Sequence, residues 1–130
     1  NEEIIFGATS IGNPHAVIIV DDVEQAPVKK IGVAIQENGI FPESVNVGFV
    51  QILSKKSIKL RVFERGDGET FACGSGACAA VAILCQYGYL NQMVDVELRG
   101  GHLTINWEGE GEPIYMRGPA LTVYEGEIEL

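Results

Sequence analysis

In the run Ala72-Cys73-Gly74-Ser75-Gly76-Ala77-Cys78, a thiol stands directly before a stretch that reads as a helix, with two glycines beside it. Unpaired N–H groups and the positive end of the macrodipole make a helix N-terminus favourable to anions. Gly74 and Gly76 let the backbone turn tightly and leave those N–H groups bare. A thiolate at Cys73 is therefore expected to be stabilised and to serve as a base. A substrate carboxylate is expected to dock on the same N–H groups. The bland alternative is a small core residue that ends a loop, and the adjoining Gly-Ser-Gly tips the balance towards chemistry. Cys78 and Cys85 lie inside the apolar run, where cysteine behaves as a small hydrophobe, and are expected to be structural.

Other residues capable of chemistry stand in short polar clusters. His15 closes Gly12-Asn13-Pro14-His15 just before a strand, Asn46 opens a second strand, and Glu64-Arg65-Gly66-Asp67-Gly68-Glu69-Thr70 forms a charged loop. Taken singly, each has an ordinary explanation as a turn, cap or solvated loop. No metal site is expected: Cys73 and Cys78 are wrongly spaced for zinc and the two histidines are remote from each other. Gly74-Ser75-Gly76-Ala77-Cys78-Ala79 also matches a dinucleotide-binding fingerprint loosely. That fold needs parallel strands alternating with helices, whereas this chain offers hairpins.

Two elements must position the thiol. From Gly74 to about Tyr87 the sequence is small and apolar without a polar stripe, so a helix there is buried all round, with Gly88 as its stop. A first helix is predicted from Pro27, with Val28, Ile31 and Ile35 at helical spacing, ending before Asn38-Gly39. Strands are predicted at Ala16–Val20, Val45–Leu53, Ile58–Phe63, Val94–Leu98, Leu103–Trp107, Ile114–Met116 and Leu121–Tyr124, the second and third forming a hairpin across Lys55-Lys56. The expected fold class is α+β: a curled, barrel-like sheet of short strands around the central apolar helix, plus one further helix.

The chain has 130 residues, 46% of them hydrophobic, enough for a single domain over residues 1–130. Nine basic residues against eighteen acidic ones give a net charge of −9, which excludes a nucleic-acid binder. No apolar run is long enough to span a membrane, and Asn1-Glu2-Glu3 is too acidic for a signal peptide. Three cysteines, two of them in an apolar run, point to reduced thiols and a cytoplasmic location. The first residue is Asn1 rather than Met, which leaves open that the chain is a piece of something longer.

Together the clusters carry a resemblance. Gly12-Asn13-Pro14-His15, Val45-Asn46-Val47-Gly48-Phe49, Glu64-Arg65-Gly66-x-Gly68-Glu69-Thr70, Ala72-Cys73-Gly74-Ser75-Gly76-Ala77 and Tyr115-Met116-x-Gly118-Pro119-Ala120 stand in the order and spacing of diaminopimelate epimerases. Nearly the whole chain resembles the second, C-terminal half of that family, with the N-terminal domain absent. The resemblance implies cofactor-independent interconversion of LL- and meso-diaminopimelate, for lysine and peptidoglycan synthesis, by two cysteines on opposite faces of the α-carbon. It implies Cys73, His15 and Glu64 as catalytic residues. Asn13, Asn46, Glu64 and Arg65 become binders of the distal amino-acid head, and Gly74 and Ser75 backbone donors to the proximal carboxylate. The implied partners are diaminopimelate and the missing N-terminal domain; a homodimer is left open.

With one of two thiols present, the chain alone is expected to be inactive, and Cys73, lacking its lid, to be readily alkylated. A proline or hydroxyproline racemase would keep the cysteine pair without needing Glu64 and Arg65. Phenazine-biosynthesis-type isomerases share the fold without the thiols. A non-catalytic domain binding amino acids or other anions at the helix N-terminus is the alternative from a different class.

Overall fold

The computed structural model describes residues 3–130, so Asn1 and Glu2 of the acidic start lie outside the described residues. Eight strands and two helices follow in the order β1 (Gly7–Ser10), β2 (Pro14–Ile19), α1 (Val28–Glu37), β3 (Asn46–Ser54), β4 (Ser57–Glu64), β5 (Gly68–Thr70), α2 (Gly74–Gln86), β6 (Met93–Leu98), β7 (Gly101–Trp107) and β8 (Ile114–Arg117). They build one sheet in the order β1-β2-β3-β4-β6-β7-β8, with β5 paired to β4. The sheet curls around α2, and α1 lies on its outer face, as the composition of the two cores shows.

The period-2 alternation of the strands separates these two cores. Val17 of β2, Val50 of β3 and Ile58, Leu60 and Val62 of β4 turn inward with Ala77, Val81 and Leu84 of α2. Ala16 and Ile18 of β2, Val47 and Phe49 of β3 and Phe63 of β4 turn outward against Val28 and Ile35 of α1. Helix α2 is buried continuously from Gly76 to Leu84, as its uniformly apolar sequence requires. Helix α1 buries only Val28, Gly32 and Ile35, one stripe of an amphipathic helix. Gly88, at φ 82°, supplies the left-handed turn that ends α2.

Three details differ from the sequence expectation. Pro27 is the residue preceding α1 rather than its first member; its carbonyl accepts the Ile31 N–H. Leu121–Tyr124 forms no strand, and Leu121, Val123 and Tyr124 are at least 84% exposed. Their alternation signals a strand, but no edge of this sheet receives them. Finally, the sheet is not built of hairpins alone: β2 pairs with β3 and β4 with β6 in parallel, across α1 and α2 respectively. Such pairings join residues far apart in sequence and leave no local signature. Strands β1 and β5, too short to show alternation, were not anticipated. Among the described residues no helix is long and apolar enough to cross a membrane.

Candidate active site

The starts of β2 and β3 and the end of β4 meet at one end of the sheet. His15 pairs with Asn46 in the parallel register, and Glu64 lies opposite Asn46, one step beyond the Val47–Phe63 pair. The turn after β4 leads through β5 back to the same end, where α2 begins with Cys73 as its N-cap. Gly66, at φ 86°, makes the tight reversal between β4 and β5 and leaves Arg65 at its tip. Local turn chemistry and strand register thus bring together residues from four separate stretches of sequence.

The extended backbone of Cys73 (φ −148°, ψ 103°) points its sulfur back over the first turn of α2, where Sγ accepts the Gly76 N–H at 3.3 Å. Among the described residues, the N–H groups of Gly74 and Ser75 have no protein acceptor. Ser75 Oγ lies 3.7 Å from Cys73 Sγ and 3.2 Å from His15 Nε2, and it accepts from Asn13 Nδ2 at 3.3 Å. His15 Nε2 also meets Asn13 Oδ1 at 3.1 Å. Glu64, on the other flank of the thiol, accepts a hydrogen bond from the Thr70 hydroxyl.

Burial governs the charge of this cluster. His15 is only 1% exposed, and burial lowers its pKa from the ordinary 6.5; Glu64 opposes this and Arg65 reinforces it, leaving a neutral imidazole. Burial likewise pushes the Cys73 thiol up from 9.0. The Ser75 hydroxyl and Gly76 N–H pull it back in part, and the Glu64 carboxylate raises it further. The expected stabilised thiolate is therefore corrected: near neutral pH Cys73 is held as a thiol, because desolvation outweighs the hydrogen bonds from Ser75 and Gly76. Ready alkylation is corrected too. Cys73 is 8% exposed, the same as Cys78, and Cys85 is the more accessible of the three free thiols.

Asn46 and Arg65 brace the adjoining loops. Asn46 Nδ2 donates to Pro14 O at 3.1 Å and its Oδ1 accepts the Arg65 N–H at 2.8 Å, tying β2 to the end of β4. Arg65 itself is exposed and donates through Nη1 to Glu43 O at 3.1 Å. Ser44 adopts the left-handed region (φ 67°) beside that carbonyl, a strained conformation for a residue with a Cβ. A cleft of about 370 Å³ lined by Pro14, Phe41, Pro42, Glu43 and Ser44 adjoins this flank.

The structure thus gathers His15, Asn13, Ser75, Cys73, Gly74 and Glu64 around the start of α2, with Asn46 and Arg65 bracing the adjacent loops. Two contributors escaped sequence reasoning. Thr70 holds the Glu64 carboxylate, and Gln36 Nε2, from α1, donates to the carbonyls of Val45 and Glu64 at 3.0 and 3.3 Å. Thr70 lay within the charged motif, where its hydroxyl was the available signal. Gln36 had none, since its partners depend on tertiary packing. The loosely matched dinucleotide loop also acquires a specific role, because its Gly76 N–H is taken by Cys73 Sγ. Among the described residues no three His, Cys, Asp or Glu side chains converge as a metal-ligand set.

A family model described as diaminopimelate epimerase matches residues 7–123. Diaminopimelate epimerase of Alkalilimnicola ehrlichii is 58% identical over 96% of this chain and 45% of its own length. That of Chromobacterium violaceum is 56% identical over the same shares. That of Nitrosomonas europaea is 54% identical over 100% of this chain and 47% of its own. The chain therefore spans about half the length of the curated relatives it matches. Among solved structures, a PhzF-family phenazine biosynthesis protein of Bacillus anthracis superposes with a TM-score of 0.59 at 20% identity, covering 87% of this chain and 38% of that one. Its Enterococcus faecalis counterpart gives 0.60 at 20% identity, covering 82% and 40%. At that identity the likeness shows the fold alone.

Proposed function

This chain belongs to the diaminopimelate epimerase family, and we propose that it supplies one face of a two-thiol centre that epimerises diaminopimelate without a cofactor. The observation that carries this is the junction of Cys73 with two bare N–H groups at the start of an apolar helix, walled by His15 and Glu64.

An amino-acid α-proton is weakly acidic, so its removal without a cofactor needs strong electrostatic help. The Gly74 and Ser75 N–H groups receive the α-carboxylate and stabilise the charge that spreads into it as the C–H bond breaks. A thiolate from the N-terminal half takes that proton. Cys73, held as a thiol by burial, breaks its S–H bond to deliver a proton to the opposite face and becomes the thiolate. Reversing the two roles runs the reaction backwards. Asn13, Asn46, Glu64 and Arg65 form the distal side, where a guanidinium suits a carboxylate and a carboxylate an ammonium. Residues 1–130 act as the C-terminal domain of that enzyme, in lysine and peptidoglycan precursor synthesis in the cytoplasm.

Deuterium incorporation at the α-carbon of diaminopimelate, followed in D₂O by mass spectrometry, tests this. The chain alone is expected to give none. Adding the N-terminal half of the 58% identical relative should restore exchange, which Cys73→Ser abolishes. Exchange by the chain alone would overturn the two-thiol division. Substrate binding without exchange in the reconstituted pair would point instead to a non-catalytic anion-binding domain.

A further inference from the structure

Strand β5 is only three residues long, yet both of its faces are used. Thr70 lies opposite Val62 and Gly68 opposite Glu64, so Thr70 and Glu64 are diagonal neighbours on the face that carries Val62 towards α2. Gly68 brings no side chain to the place opposite Glu64, and the Thr70 hydroxyl donates across it to Glu64 Oε2. We infer that Thr70 is a positioning residue: it holds the Glu64 carboxylate beside the Cys73 thiol and so sets the proton affinity of that sulfur. This deepens the proposed function, because it rests on Cys73 exchanging a proton with substrate.

A carboxylate only accepts, so in this pair the hydroxyl gives its one proton to Glu64. The Ala72 carbonyl, at 3.4 Å, is the weaker alternative acceptor. Glu64 bears on Cys73 in two ways: its charge opposes a thiolate, and its side chain accepts a hydrogen bond from the thiol. Both fall away with distance, and Glu64 is partly exposed, so an untethered carboxylate would turn towards water. The opposite face of β5 keeps the tether in place. Glu69 there accepts from Arg61 Nε at 2.6 Å and Nη2 at 2.9 Å, with Arg99 Nε at 3.4 Å. Arg61 Nη1 also donates to Val23 O at 2.6 Å. This clamp fixes the backbone next to Thr70, which leaves the hydroxyl little freedom to part from Glu64.

The proposed reaction asks Cys73 to give a proton in one direction and to take one in the other. A fixed carboxylate beside the sulfur keeps the thiol protonated until a carbanion draws the proton away, and makes the thiolate so formed a stronger base. Thr70 acts on both steps through Glu64 alone. The other groups that face the thiol do not depend on it. Ser75 and Gly76 donate to the sulfur from α2, and Cys78 lies one turn further along that helix. His15 of β2 is reached only through Ser75, and Arg65 acts on His15.

The chain with ¹³Cβ-labelled cysteine is titrated by NMR, its three thiols assigned with Cys78→Ala and Cys85→Ala. No substrate is present, so failure of the Thr70 role is distinct from failure of the epimerase assignment. Thr70→Val keeps the side-chain shape and removes the hydroxyl; it should move the Cys73 transition to lower pH, because the released carboxylate no longer opposes the thiolate. Thr70→Ser, which keeps the hydroxyl, should leave the transition where the unaltered protein has it. In a Glu64→Gln background, Thr70→Val should move nothing further. An equal shift in that background overturns the inference, because Thr70 then acts on the thiol by packing. A transition unmoved or raised by Thr70→Val also overturns it, since the hydroxyl then does not hold the carboxylate or competes with the thiol for it. So does a Thr70→Ser transition displaced as far as that of Thr70→Val.

Discussion

His15 and Cys73 illustrate how burial sets the working state of a side chain. Their shifts run in opposite directions because desolvation disfavours the charged form of each: imidazolium for one, thiolate for the other. Both have consequences for stability. The His15 contribution is present above the ordinary value of 6.5 and is lost as pH falls through its lowered folded value. The thiols Cys73, Cys78 and Cys85 contribute below 9.0, and that is lost as pH rises through their raised values. Glu69, lowered chiefly by its hydrogen bonds from Arg61, loses its contribution only below 4.5. Urea-unfolding free energy should therefore be flat between pH 6.5 and 9.0 and fall on either side. His15→Gln should flatten the slope between pH 6.5 and 4.5. An unchanged slope there would assign that limb to other groups.

At the scale of elements, the site depends on α1 as much as on α2. Helix α1 approaches the sheet through Gly32, where an added Cβ would lie 2.6–3.0 Å from Phe63 Cδ1, Cγ and Cβ. Phe63 Cβ is fixed to the backbone of β4, so rotation of the ring cannot clear the overlap. Gly32→Ala should thus destabilise by about 1–3 kcal/mol despite alanine's better helix propensity. Because Gln36 of the same helix holds the Glu64 carbonyl, the variant should also shift the NMR signals of Thr70 and Cys73. Stabilisation measured by urea titration would show that α1 has room to move away. Helix α2 was legible because continuous apolarity over more than three turns admits only a buried helix. The stripe of Val28, Ile31 and Ile35 was legible for α1, but the face of the sheet it covers was not.

For the whole molecule, the ordered sheet ends at β8, and the segment beyond it is exposed, forming no hydrogen bond among the described residues. Chymotrypsin should cut at Leu121 and Tyr124 while the thermal midpoint of the remaining core stays unchanged; a midpoint that falls with cleavage would show that the segment supports the fold. The alternation that predicted a strand there was real as a pattern, but a strand requires a partner edge. By itself the sequence determined the α+β class, the buried central helix, the hairpin of β3 and β4 and the identity of the polar clusters, because each follows from local periodicity or turn chemistry. Tertiary structure decided the parallel pairings, the burial that makes Cys73 a thiol, and the meeting of Ser75 with His15 across 60 residues. Those depend on how much solvent and which distant groups surround an atom, and local spacing carries no record of either.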